Sequence, residues 1–77
     1  MLNYGYRSGL DISNVSLKPG FYYGSFINAP TSNGHLIVLG AGSSWYAAQI
    51  LISDAYPVGK PYFRDYNSGA WSDWRTI

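Results

Sequence analysis

Turn-forming residues interrupt this chain at short, regular intervals, and no apolar stretch between them is long enough to make a helix that stands by itself. Short runs of aromatic and β-branched residues, punctuated by Gly, Pro, Asn and Ser every eight to twelve residues or so, are the rhythm of an all-β domain. Lys18-Pro19-Gly20 suits a type II turn and launches a strand from Phe21 to Ile27. The stretch from Asn28 to Gly34, with Pro30 inside it and Asn33-Gly34 at its end, precedes a second strand from His35 to Leu39. A glycine- and serine-rich segment, Gly40 to Ser44, leads to Tyr46–Ser53, where Tyr46, Ala48, Ile50 and Ile52 share one face at period two. Tyr62–Tyr66 and Ala70–Ile77 flank Asn67-Ser68-Gly69, which reads as a three-residue hairpin loop with glycine in the left-handed position. That register sets Arg64 opposite Ser72 and Tyr62 opposite Trp74, and so places Trp71 and Trp74 on opposite faces. Residues 1–9 form a separate N-terminal segment in which Tyr4 and Tyr6 are spaced for a strand pairing between chains; residues 10–77 form the domain proper.

Such a domain is hard to stabilise alone. A chain of 77 residues buries only about 60% of the surface its unfolded form exposes. It has no cysteine and one histidine, so neither a disulfide nor a metal cluster can staple it. Charged residues are 12% of the chain and apolar ones 47%, too sticky a mixture to be solvated on every side. Association with further copies of itself is the device that remains, and the composition predicts a contiguous apolar patch to support it.

The same numbers exclude several partners. A net charge of +1, with no cluster of Lys or Arg, offers no footprint for a phosphate backbone, so nucleic acid is not expected. Apolar runs such as Leu36–Leu39 and Ile50–Ile52 fall far short of the roughly 20 residues that span a bilayer, and no membrane insertion is expected. Met1 is not followed by the charged and apolar regions of a secretion signal.

The order Leu10-Asp11, Pro19-Gly20-Phe21-Tyr22, Ala29-Pro30, Gly34 to Val38, a strand centred on Gln49, Tyr62-Phe63-Arg64 and Trp71 to Ile77 resembles the pyocin-knob type of domain. That family closes tail fibres and tail spikes of phages and of phage-tail-like bacteriocins, and the resemblance covers residues 10 to 77, which leaves residues 1–9 as an inter-chain strand or a remnant of the fibre shaft. It implies an all-β, small β-sandwich-like knob, homotrimeric, at the tip of a virion tail fibre made in the bacterial cytoplasm. Gly20, Tyr22, Pro30, Gln49, Arg64, Trp71 and Trp74 match the family as framework positions, so the resemblance names no receptor-binding residue.

Candidate contacts must therefore come from the loops. Aromatic residues are 18% of the chain, and a ring beside Asp, Asn or Arg is a common way to hold a sugar, although most rings in so small a domain serve the core or a subunit contact. Asn33 and His35 at one turn, Ser44 and Trp45 at the next, and Asp54 and Tyr56 at the third are the expected ligand-binding residues for a bacterial surface glycan: teichoic acid, capsule or lipopolysaccharide. Arg64, between Tyr62 and Tyr66, would serve either an acidic sugar or, as a structural group, Asp65, Asp73, a terminus or a neighbouring subunit. No cofactor and no metal are expected. A Ser, His and Asp triad has no nucleophile elbow to sit in, and with four Asp and no Glu a glycosidase pair has little material, so the chain is read as no enzyme. The alternatives are a module that only trimerises and caps the fibre, and a polysaccharide-degrading tip that would use Asp65 with Asp54 or Asp73.

Overall fold

The computed structural model describes residues 2–13, 17–40, 46–54 and 58–76. They form a single seven-stranded sheet: β1 (Leu2–Asp11), β2 (Gly20–Ile27), β3 (Asn33–Gly40), β4 (Tyr46–Ser53), β5 (Pro61–Asn67), β6 (Ala70–Trp71) and β7 (Arg75–Thr76). Strands β2 to β5 are an antiparallel meander in sequence order, and both β6 and β7 pair with β5. The all-β expectation holds, and the expected β-sandwich-like arrangement does not: the strands lie in one sheet.

Residues 1–9 were expected to stand apart and to pair between chains. Instead β1 runs through to Asp11 and pairs parallel with β2 of the same chain, with two register shifts along its length. The close approach is possible because Gly24 has no side chain: its φ is 130°, and an added Cβ would strike the backbone of Arg7. A parallel pair needs a crossover, and Ile12 and Leu17, from the stretch between the two strands, pack against one face of the sheet.

That inner face is the core. Register stacks Tyr22, Leu36, Leu51 and Tyr62 in one row across β2 to β5, and Gly20, Val38, Gln49 and Arg64 in the next. Ile12 from the crossover packs with Tyr22, Phe26, Leu36, Val38 and Leu51, and Tyr4, Leu10, Leu17, Ala29, Tyr62 and Trp74 close around them. Ile12, Leu36 and Leu51 are wholly buried, each contributing about 1.5–3 kcal/mol of transfer free energy. Tyr22 stacks on Tyr4 at 5.0 Å between centroids and donates its hydroxyl to the Lys18 carbonyl at 2.7 Å, so the start of β2 is tied to both neighbours.

The terminal hairpin differs from the expected register by one residue. Asn67 pairs with Ala70 and Tyr66 with Trp71, leaving a two-residue turn in which Ser68 and Gly69 both have positive φ, 53° and 95°. Beyond it, Phe63 pairs with Arg75 and Tyr62 with Thr76, one residue out of step with the turn end. The extra residue lies in the 72–74 stretch, where the Ser72 N–H donates to the Asp65 carbonyl and the Asp65 N–H to Ser72 Oγ. This bulge puts Trp71 and Trp74 on the same face, both over Arg64, rather than on opposite faces.

Candidate functional site

Of the six residues expected to bind a ligand, Asn33, His35 and Asp54 are exposed and lie at one end of the β3–β4 ladder. The Asp54 N–H donates to the Asn33 carbonyl at 3.0 Å, so these two loops form one edge. Ser44, Trp45 and Tyr56 lie outside the described residues. Gly40 and Tyr46, the strand ends that flank residues 41–45, are at the other end of the ladder, about 24 Å from Asn33 at roughly 3.4 Å per strand residue. The ladder thus brings three of the six candidates together.

Sequence reasoning missed the rings beside His35. Register aligns Tyr6, Tyr23 and His35 across β1, β2 and β3 on the outer face. Their centroids are 5.9 Å apart at each step, Tyr6 to Tyr23 edge-on and Tyr23 to His35 tilted. Tyr6 is 61% exposed and Tyr23 42%. The alternation Phe21, Tyr23, Ser25, Ile27 was a usable signal for Tyr23, but nothing local says that β1 lies beside it. On the same face the next residues along β2 and β3, Ser25 and Asn33, pair with each other and are polar. The Gly9 N–H donates to Ser25 Oγ at 2.7 Å, which fixes that hydroxyl against β1.

Next to these residues the outer face is hydrocarbon as far as Phe63, where the Arg75 guanidinium lies 4.8 Å over the ring and pairs with Asp65. Phe21, Ile37, Ile50 and Phe63 form one continuous row across four strands, with Leu39 and Ile52 beside it. Phe21 and Leu39 are 43% and 36% exposed, and Ile37, Ile50, Ile52 and Phe63 are half-buried only by their sheet neighbours. Among the described residues, no segment crosses this face as the crossover crosses the inner one.

Arg64 is a structural group. It is 5% exposed, with the Trp71 and Trp74 rings at 3.9 and 4.4 Å from its guanidinium carbon. Its Nε–H donates to Gln49 Oε1 at 2.9 Å, and its terminal nitrogen to the Ile12 carbonyl at 3.0 Å and to Ser13 Oγ at 3.2 Å. Gln49, 1% exposed, donates its own amide to the Ile12 carbonyl, and the Trp71 indole N–H to the Ser13 carbonyl. Burial pushes the guanidinium down to about 10, with the Asp11 charge opposing, so at neutral pH it stays charged. The framework role that the resemblance gave Gln49, Arg64, Trp71 and Trp74 is the role they have, and the partners sequence reasoning offered Arg64, Asp65 and Asp73, are not the ones it uses. Asp65 instead faces Arg75 at 3.5 Å in an exposed pair.

No family model and no curated protein matches the chain. Among solved structures, it is similar to a C-terminal fragment of the R1 pyocin fibre of P. aeruginosa, with a TM-score of 0.77 and 24% identity over 99% of this chain. The chain spans 21% of that fragment, about a fifth of its length. At this identity the likeness establishes the fold, and it is a pyocin fibre-like fold, as the resemblance of residues 10–77 implied.

Proposed function

We propose that the chain is a module of the tail fibre of a phage or phage-tail-like particle, joined to copies of itself through the outer sheet face and used to contact a bacterial surface glycan. The observation that carries this reading is the hydrocarbon row Phe21–Ile37–Ile50–Phe63, which no other described segment crosses, on a fold shared with a pyocin fibre. A stable interface takes about 800 Å² per partner. Against a total accessible surface of 4480 Å², that is roughly a fifth, which a broad strip of one face supplies. Three copies around one axis match the trimer implied by the resemblance. Three weak sites held together then gain the avidity that a lone module lacks. The module acts by contact rather than by catalysis, and its place is the tip of the fibre.

The same row favours a second reading, in which the module only assembles and caps the fibre. Two measurements on the purified chain separate them. Sedimentation at micromolar concentration should give a trimer, and Ile50→Lys should give a folded monomer by placing a charge in the middle of the row. A wild-type monomer refutes the assembly. Binding of the wild-type chain to whole cells or to purified surface polysaccharide supports receptor contact, and an intact trimer that binds neither leaves the capping role. Release of oligosaccharides from the polysaccharide, lost in Asp65→Asn, would overturn the non-enzymatic reading.

A further inference from the structure

From the arrangement of the outer face we infer that Tyr6, Tyr23 and His35, with Ser25 and Asn33 along one side, form a subsite for an uncharged pyranose chain. The inference rests on the glycan-contact reading above and says where on the module, and with what class of sugar, contact is made.

The outer face is chemically divided. Over β3 and β4 it is hydrocarbon, Ile37, Ile50 and Ile52, which an apolar surface complements, and it is bordered on β5 by Phe63 under the Arg75 guanidinium. At the β1–β3 corner each ring carries a polar atom, and the neighbouring row, Ser25 and Asn33, presents a hydroxyl and an amide. An alternation of ring and hydrogen-bonding group is poorly matched to a dry protein contact. A pyranose has the complementary pattern, an apolar ring face with hydroxyls around its edge. The three rings are spaced at 5.9 and 5.9 Å, so they cover up to about 12 Å, the width of nearly three strands, which suits an oligosaccharide better than a single sugar. The Tyr6 and Tyr23 hydroxyls, the His35 ring nitrogens and the Asp54 carboxylate make no hydrogen bond among the described residues and are open to a ligand.

Charge selects the class of sugar. Arg7 follows Tyr6 in unbroken register with β2 and so lies on the opposite face, Lys18 is beside the inner Tyr22, which donates to its carbonyl, and Lys60 lies over Tyr62. Arg64 is buried and Arg75 faces Asp65. No fixed cation therefore borders the rings, and Asp54 stands beside Asn33 at their end. A teichoic acid phosphate or an acidic capsule sugar would meet repulsion and no compensating partner, whereas an uncharged chain meets neither.

The test is a titration of the isotopically labelled chain with malto-, cello- and chito-oligosaccharides, followed by nuclear magnetic resonance. The expected result is that shifts centre on the His35 and Tyr23 rings. Tyr6→Ala and Tyr23→Ala should each weaken binding by between about twofold and tenfold, the range for loss of one ring contact. Tyr46→Ala, an equally bare tyrosine at the far end of the same face, should bind as the wild type does. Circular dichroism and sedimentation of each variant should be unchanged. The subsite is overturned if Tyr6→Ala and Tyr23→Ala bind normally, if only acidic saccharides bind, or if either variant dissociates the assembly. Wild-type chain that adheres to cells while the rings stay unperturbed sinks the subsite and leaves the contact reading standing. Chain that binds neither cells nor sugars sinks both.

Discussion

Arg64 tests whether the buried polar cluster holds the domain together or merely sits in it. Arg64→Ala removes the donor to Gln49 Oε1 and both indole contacts, at 3.9 and 4.4 Å. The Ile12 carbonyl keeps its bond from Gln49, so one buried acceptor, Gln49 Oε1, is left orphaned, at a cost of about 1–3 kcal/mol. Two indole contacts add about 0.5–2 kcal/mol each, and relief of the buried charge offsets part of the sum. The net loss is about 3 kcal/mol. A chain of 77 residues at roughly 0.05–0.15 kcal/mol per residue holds about 4–12 kcal/mol in all, so the urea midpoint should fall by a quarter or more. The sharper measurement is a double-mutant cycle with Arg64→Met and Gln49→Leu at one fixed protein concentration, read by circular dichroism and tryptophan fluorescence. Each single variant strands a partner; the pair strands only the Ile12 carbonyl. The double variant should be more stable than the sum of the singles by about 1–3 kcal/mol. Additivity within about 0.5 kcal/mol would refute the claim that these side chains act as a unit.

Gly24→Ala should cost more than about 2 kcal/mol, because the new Cβ meets the Arg7 backbone and the residue is held at positive φ; hydrogen exchange should show β1 amides losing protection before those of β3 to β5. Ser68→Asn should stabilise by a few tenths of a kcal/mol, since asparagine tolerates the left-handed backbone of a two-residue turn better than serine; a lower melting temperature would contradict the turn assignment. Asp11 accepts hydrogen bonds from the Asn28 amide and the Ser13 N–H, which hold its carboxyl below the ordinary value of 3.8. The bracket it forms is therefore intact above that pH and loosens as pH falls through the folded value, which a carboxyl carbon titration reads directly. Burial raises the Tyr22 hydroxyl above 10.0, so its contribution is complete below pH 10 and is lost as pH rises through the folded value; spectrophotometric titration should find one tyrosine ionising late, together with loss of structure.

The strands after residue 20 were legible because their turns are written in residue type: Pro19-Gly20, Asn33-Gly34 and Ser68-Gly69 each sit at a strand boundary. Their register was less so. Asn67-Ser68-Gly69 fits a three-residue loop with one left-handed glycine as well as a two-residue turn with two left-handed positions, and the shift of one residue reverses the face of Trp71. The partner of β1 left no local trace, because a parallel strand is placed by its crossover and not by a turn. For the same reason the Tyr6–Tyr23–His35 row could not be read: two of its three members are adjacent only through that pairing. A second sheet was expected because the resemblance implied a β-sandwich-like knob, and alternation along the strands cannot say which face the chain covers for itself.

The crossover explains both the single sheet and the polar cluster beneath it. Residues 12 and 13 have left the ladder yet lie over the core, so the Ile12 and Ser13 carbonyls must find partners without a neighbouring strand. Gln49 and Arg64 supply the first, the Trp71 indole the second, and the Ser13 hydroxyl takes a further bond from Arg64. An all-apolar core at positions 49 and 64 would leave the buried Ile12 carbonyl without a partner. The bulge at 72–74 belongs to the same solution, since only with both indoles on the inner face is the guanidinium closed from water on two sides. The chain thus uses its crossover and its last hairpin as the layer that a second sheet would otherwise provide. That layer reaches one face only, and the hydrocarbon row on the other is what a further copy of the chain would have to cover.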